Sequence, residues 1–109
     1  MDKKYVMISQ PMAGKPQQEI IETRDRAFRY LQESGYTVID TLFSDDWKRK
    51  NYLADSYVVS APLQFLAKSL ESMSLCNTVY FCKGWDKTRG CRIEHEAAKA
   101  YGLEILYEE

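Results

Sequence analysis

Four short apolar runs in the chain have the composition of β-strands. They are rich in β-branched and aromatic residues, and few polar residues interrupt them. Nearly continuous apolar runs of this length are typical of strands that are buried on both faces of a parallel sheet. The predicted strands are residues 5–8, 36–41, 78–82 and 103–107.

Three longer segments between these runs repeat apolar residues at steps of three and four, the period of a helix that is buried on one face. Gly35 and Gly102 follow the first and third segments, where glycine commonly ends a helix, and Pro62 opens the second. The predicted helices are residues 17–33, 62–73 and about 91–101. Residues 43–61 have no clean period and are predicted to form a long loop with room for one short helix.

The order of these elements predicts a single-domain α/β protein with a Rossmann- or flavodoxin-like fold. We expect a parallel sheet of about four strands with helices on both faces. A chain of 109 residues is long enough for one core, so residues 1–109 are predicted to be one domain. Loops after the carboxyl ends of such strands meet where ligands bind. The loops at residues 9–15 and 83–90 are therefore expected to line the site.

Charge and composition narrow the expected partners. The chain has 15 basic and 16 acidic residues, and this balance argues against binding a nucleic-acid polymer through its phosphates. No apolar run approaches the ~20 residues of a membrane span, and the amino terminus lacks a signal-peptide pattern. The three cysteines lack the spacing of a zinc or redox motif. We expect a cytoplasmic protein that binds neither membrane nor metal.

The loop at residues 83–90 carries much of the candidate chemistry. Thr88 and Gly90 offer a hydroxyl and open backbone N–H groups near a helix start, where the helix dipole favours an anion such as phosphate. Trp85 has two open roles, because it can stack on a base or ribose, or cover the sheet edge or a subunit contact. We expect this loop to contribute to a nucleotide-type site.

The loop after the first strand is the second candidate. Ser9, Gln10 and Gly14 offer a hydroxyl, an amide and open backbone to a ligand. The same residues also have ordinary turn composition.

Glu94 is expected within the first turn of the third helix, at the mouth of the cleft. A carboxylate there can attack an anomeric carbon or orient water. Alternatively, it caps the N–H groups of that turn, and spacing alone favours this second role. His95 and Glu96 are expected on the solvated surface. The cysteines are expected to pack as small apolar groups, although a helix start can stabilise the thiolate of Cys91.

Taken together, these segments resemble the nucleoside 2-deoxyribosyltransferase-like superfamily, especially its short members with a Gly-Trp-x-x-x-x-Gly-x-x-x-Glu segment. The similarity runs through residues 8–14 and 66–81. Its most specific part consists of Gly84, Trp85, Gly90, Glu94, Ala98 and Gly102.

The resemblance implies an enzyme that cleaves the N-glycosidic bond of a nucleoside or nucleotide without a cofactor. It implies Glu94 as the nucleophile and Thr88 as a phosphate-binding residue, in a homo-oligomer. Ser9, Gly14 and Trp85 would shape the pocket for sugar and base.

Three features depart from the family pattern. Ser69 stands where family enzymes carry an aspartate that helps to protonate the leaving base, and Gln10 stands where relatives often have glycine. The sequence ends at Glu109 without the asparagine segment that transferases lend to a neighbouring subunit. These departures favour hydrolysis or binding over base exchange. A catalytically silent nucleotide-binding or sensing domain and a homo-oligomeric interaction module remain the alternatives.

Overall fold

A four-stranded parallel sheet forms the centre of the computed structural model, which describes residues 3–39 and 60–109. The strands lie in the order β2-β1-β3-β4. They are β1 (Lys4–Ser9), β2 (Tyr36–Ile39), β3 (Thr78–Phe81) and β4 (Glu104–Tyr107). The described helices are α1 (Gln17–Glu33), α2 (Ala61–Met73) and α3 (Arg89–Ala100).

The ends of the first two helices follow from local chemistry. The Ser60 side chain accepts a 3.3 Å hydrogen bond from the backbone N–H of Leu63, which satisfies one free donor at the start of α2. Pro62 lies in the same turn, where its missing N–H costs no helical hydrogen bond. Gly35 ends α1 with φ +91°, a left-handed conformation that other residues adopt only with strain.

Alternate residues of the strands point to opposite faces of the sheet, and each face has its own buried cluster. On one face, Val6, Ile8 and Tyr80 pack with Ala27 and Leu31 of α1. The other cluster lies beneath α2 and α3 and contains Met7, Met73, Cys76, Val79, Phe81 and Ala98. The predicted α/β fold, with helices on both faces of a parallel sheet, is therefore confirmed.

The predicted boundaries need small corrections around the third helix. Helix α3 begins at Arg89 rather than near Cys91, because Gly90 adopts helical rather than loop conformation. A short 3₁₀ turn, Trp85–Lys87, occupies part of the predicted loop before it. Residues 40–59 lie outside the described residues. They include the end of the predicted second strand and nearly all of the predicted long loop.

The three cysteines are free and buried, as small apolar groups are. Burial raises the pKa of Cys76 to about 11 and the pKa of Cys82 to about 12. In the described ranges, no helix has both the length and the apolar character needed to cross a membrane.

Candidate functional site

The loops after β1 and β3 meet at the carboxyl edge of the sheet. The chain leaves β1 toward β2 on one side and leaves β3 toward β4 on the other, so the two central strands flank a topological switch point. The backbone N–H of Cys82 donates a 2.9 Å hydrogen bond to the carbonyl of Ser9. A Cβ on Gly84 would lie 3.6 Å from Cγ of Pro11. The predicted convergence of these loops is confirmed.

A buried hydrogen bond between Ser9 and Glu94 lies at this edge. Ser9 ends β1 on the face covered by α2 and α3, and its hydroxyl donates to the Oε1 atom of Glu94 at 2.6 Å. Ser9 is 2% exposed and Glu94 is 8% exposed. The two predicted site residues, 85 positions apart in the chain, are thus in direct contact.

Glu94 is the sixth residue of α3 and lies in its second turn, so its expected place in the first turn was wrong. A glutamate that caps a helix lies at its third residue, from which the side chain reaches back to the first N–H groups. Glu94 is too far along the helix for that role. The capping alternative, which spacing had favoured, is therefore wrong as well.

The charge state of Glu94 reflects two opposing influences. Burial raises the pKa of its carboxyl, because removal from water disfavours the charged form. Hydrogen bonds from the hydroxyls of Ser9 and Ser69 act in the opposite direction and favour the carboxylate. A group on α3 is therefore held from β1 and from α2 at once.

Thr88 precedes the first residue of α3, and its side chain makes no capping hydrogen bond. Its hydroxyl instead donates to the carbonyl of Trp85 at 3.2 Å. A Cβ on Gly90, in the first turn of the helix, would meet no described atom within 4 Å outside its chain neighbours and the backbone of its own helix. Open space therefore adjoins the first turn, where backbone N–H groups lack helical partners.

Cys91 joins Thr88 to the Ser9 and Glu94 pair. Its thiol is within hydrogen-bonding reach of the hydroxyls of Ser9 and Thr88, and both contacts lower its pKa. Burial has the larger effect and raises the pKa of the thiol overall. The helix start therefore does not make Cys91 a stabilised thiolate, in contrast to the option left open by the sequence.

Trp85 covers the sheet beside β3 and β4. Its ring stacks on His95 with centroids 4.1 Å apart and planes 21° apart, and it also packs against Phe81. The Nε2 atom of His95 lies 2.7 Å from the hydroxyl oxygen of Tyr107. His95 is thus a half-buried member of an aromatic cluster, and its expected place on the solvated surface was wrong.

Gly14 and Gln10, the other two candidates of the first loop, have surroundings different from those of Ser9. Gly14 is in an exposed turn, and a Cβ there would meet no described atom within 4 Å beyond its chain neighbours. Gln10 is buried but turns toward α1, where its Nε2 atom donates to the carbonyl of Ile20 at 2.6 Å. Of the residues predicted in the first loop, Ser9 is the one in contact with Glu94.

Sequence reasoning did not predict the hydrogen bond from Ser69 to Glu94, nor the place of Cys91 between Ser9 and Thr88. Ser69 lies on the inward stripe of α2 with Leu66, Leu70 and Met73, and a polar residue in such a stripe signals a buried partner. Cys91 precedes Glu94 by three positions, so the two share a helix face. In the described residues, no group of three His, Cys, Asp or Glu side chains is placed to hold a metal ion.

The chain belongs to the DUF4406 family, a domain of unknown function whose model matches residues 4–107. Comparison with curated proteins gives no match.

Proposed function

We propose that the protein is an N-glycosidase of the nucleoside 2-deoxyribosyltransferase-like type, acting on a nucleoside or nucleotide through Glu94. The observation that carries this proposal is the buried carboxylate of Glu94, which accepts a 2.6 Å hydrogen bond from Ser9 at the switch point of the sheet. The resemblance in the segment from Gly84 to Gly102 supports the same assignment.

In the proposed reaction, the bond between the anomeric carbon and the base nitrogen breaks, and its electron pair leaves with the base. A carboxylate stabilises the positive charge that develops on the sugar, or forms an ester with it that water then hydrolyses. The hydroxyls of Ser9 and Ser69 hold the carboxylate of Glu94 in one orientation. This chemistry needs no redox cofactor.

The start of α3 is the proposed phosphate-binding part of the site. Thr88 has a hydroxyl at the helix start, and open space adjoins Gly90. Unpaired N–H groups and the positive end of the helix dipole favour an anion at this position. A nucleoside monophosphate would then extend from this helix start toward Glu94.

The test incubates the purified protein with nucleosides and their 5′-monophosphates, and free base is measured by chromatography. Glu94→Gln keeps the size of the side chain but removes the charge, and we expect base release to fall at least about a thousandfold. Glu96→Gln is the matched control, because it replaces a carboxylate by an amide at an exposed position of the same helix. Equal release by the two variants would exclude Glu94 from the reaction.

A catalytically silent nucleotide-binding domain is the second candidate. The hydroxyls of Ser9 and Ser69 can orient a bound ligand without taking part in bond cleavage. This alternative predicts that nucleotides raise the melting temperature while no base appears. If the protein is a homo-oligomeric interaction module, its melting temperature should fall on dilution and should not change when nucleotides are added. Exposed Leu75 and Tyr101 favour testing that third outcome as well.

A further inference from the structure

The described groups that contact the buried Glu94 carboxylate are neutral. Its hydrogen-bonding neighbours are the hydroxyls of Ser9 and Ser69. The nearby Cys91 thiol is also neutral, since burial raises its pKa. Among the described residues, no Lys, Arg or His side chain forms an ion pair with Glu94.

Within residues 3–39 and 60–109, no side chain supplies a countercharge to this carboxylate. Two hydroxyl donors replace part of its lost hydration, but they supply dipoles rather than a countercharge. Charge burial without a partner is costly, and a cation brought beside the carboxylate offsets that cost. A positively charged ligand therefore gains more from Glu94 than a neutral ligand of the same shape.

The same neighbours limit how a leaving base can depart. A neutral base accepts a proton as the glycosidic bond breaks, and the hydroxyls of serine are far too weakly acidic to give one at neutral pH. A base that already carries a positive charge needs no proton, because it takes the bonding electron pair and leaves as a neutral molecule. The described groups beside Glu94 suit this second kind of departure.

We propose that the site is selective for N-glycosides whose base carries a positive charge, such as a pyridinium nucleotide or an N7-alkylated purine nucleotide. This inference rests on the proposed function and specifies its substrate class. In the reaction, the C1′–N bond breaks, the electron pair neutralises the base, and Glu94 faces the cationic sugar. Water then adds to C1′ and releases one proton, so that charge and atoms balance.

The turnover test compares 7-methylguanosine 5′-monophosphate with guanosine 5′-monophosphate. The two differ by one methyl group and by the charge of the base. Each enzymatic rate is divided by the uncatalysed rate, because the methylated compound is intrinsically more labile. We expect kcat/KM corrected in this way to be at least about tenfold higher for the cationic nucleotide. A contact between charged groups is stronger than one with a neutral group by about this factor.

The binding test uses nicotinamide mononucleotide and its neutral 1,4-dihydro form, which share the same sugar and phosphate. Calorimetry measures the affinity of each form for the original protein and for the Glu94→Gln variant. The comparison separates the effect of the ligand's charge from the effect of its shape. We expect the substitution to weaken binding of the cationic form about tenfold and to leave binding of the dihydro form nearly unchanged. Equal losses for both forms would overturn the inference.

The outcomes also separate the inference from the proposed function. Glu94-dependent cleavage of both guanosine nucleotides at equal corrected rates would overturn the charge preference and leave the glycosidase standing. Charge-selective binding without any cleavage would overturn the glycosidase and support the preference for a cation. Neither binding nor cleavage of any of the four compounds would overturn both.

Discussion

Burial of Glu94 raises the pKa of its carboxyl, and the hydroxyls of Ser9 and Ser69 only oppose that shift. The folded protein therefore holds a proton on this group more tightly than the unfolded chain does. Its contribution to stability is fully present below the unfolded pKa and is lost as pH rises through the folded pKa. At neutral pH, the charge that the proposed chemistry needs therefore works against folding.

Glu94→Gln is expected to stabilise the protein in mildly alkaline solution. The free energy of unfolding should rise by about 1 kcal/mol, the usual gain when a functional residue that costs stability is replaced. Thermal unfolding of both proteins from about pH 8 down to pH 4 would measure the difference, which should shrink as the carboxyl of the original protein becomes protonated.

The matched variant Glu96→Gln removes an exposed carboxylate from the same helix and should change stability little at any pH. A pH-independent difference between the Glu94 variant and the original protein would show that packing, and not charge burial, sets the effect.

Ser9 and Glu94 were both predictable as site residues, but the hydrogen bond between them was not. Ser9 follows a buried apolar run, and Glu94 comes soon after a polar, glycine-containing loop that leads from a strand into a helix. Their contact depends on which face of β1 carries Ser9 and on how α3 crosses that face. These are properties of tertiary packing, which a pattern along the chain does not contain.

At the scale of elements, the connection from β3 to α3 contains two glycines with different roles. Gly84 has φ +89° and begins the 3₁₀ turn, whereas Gly90 lies in the first turn of α3 with helical backbone. From sequence, both looked like loop residues, which is why the predicted helix began too late. The presence of a glycine in the sequence does not show whether that residue adopts a left-handed turn conformation or lies in the first turn of a helix.

Substitution by alanine distinguishes the two glycines. Gly84→Ala should cost about 1 to 2 kcal/mol, because an L-residue is strained at positive φ even though the nearest side-chain atom is 3.6 Å away. Gly90→Ala should instead stabilise the protein by about 0.5 to 1 kcal/mol, since alanine favours a helix and its methyl group would not clash with the described residues.

Denaturant unfolding of both variants measures this difference in sign. Nucleotide binding supplies a second readout, because a phosphate close to the first turn of α3 would be displaced by the added methyl group. The Gly90→Ala variant could be more stable than the original protein and still bind a nucleoside monophosphate with the same affinity. That result would contradict the proposed position of the phosphate.

At the scale of the whole molecule, the alternation of strands and helices was enough to predict the fold, because few arrangements bury continuous apolar strands on both faces. The attachment of the chain end was not predicted. Glu108 accepts a 2.8 Å hydrogen bond from the backbone N–H of Lys83 and forms a 2.9 Å ion pair with Arg26. One residue after β4 thus ties together α1 and the loop that leads into the candidate site.

Glu108→Ala should therefore destabilise the protein by about 2 kcal/mol, since it leaves a backbone N–H without its charged acceptor and removes the ion pair. Arg26→Ala should cost less than about 1 kcal/mol, because the Arg26 side chain is 61% exposed and water screens the pair. High salt should reduce most of the Arg26→Ala loss but only the ion-pair part of the Glu108→Ala loss, because the contact with the Lys83 backbone does not depend on Arg26.

Glu109→Ala is the control, because it removes a neighbouring exposed carboxylate of the same charge. Urea unfolding with and without salt would compare the three variants. Equal losses for Glu108→Ala and Arg26→Ala would mean that the ion pair alone fixes the chain end. A larger loss for Glu108→Ala would place the stabilising contact at Lys83, in the loop that also carries Gly84 and Trp85, so the chain end would then help to hold the candidate site.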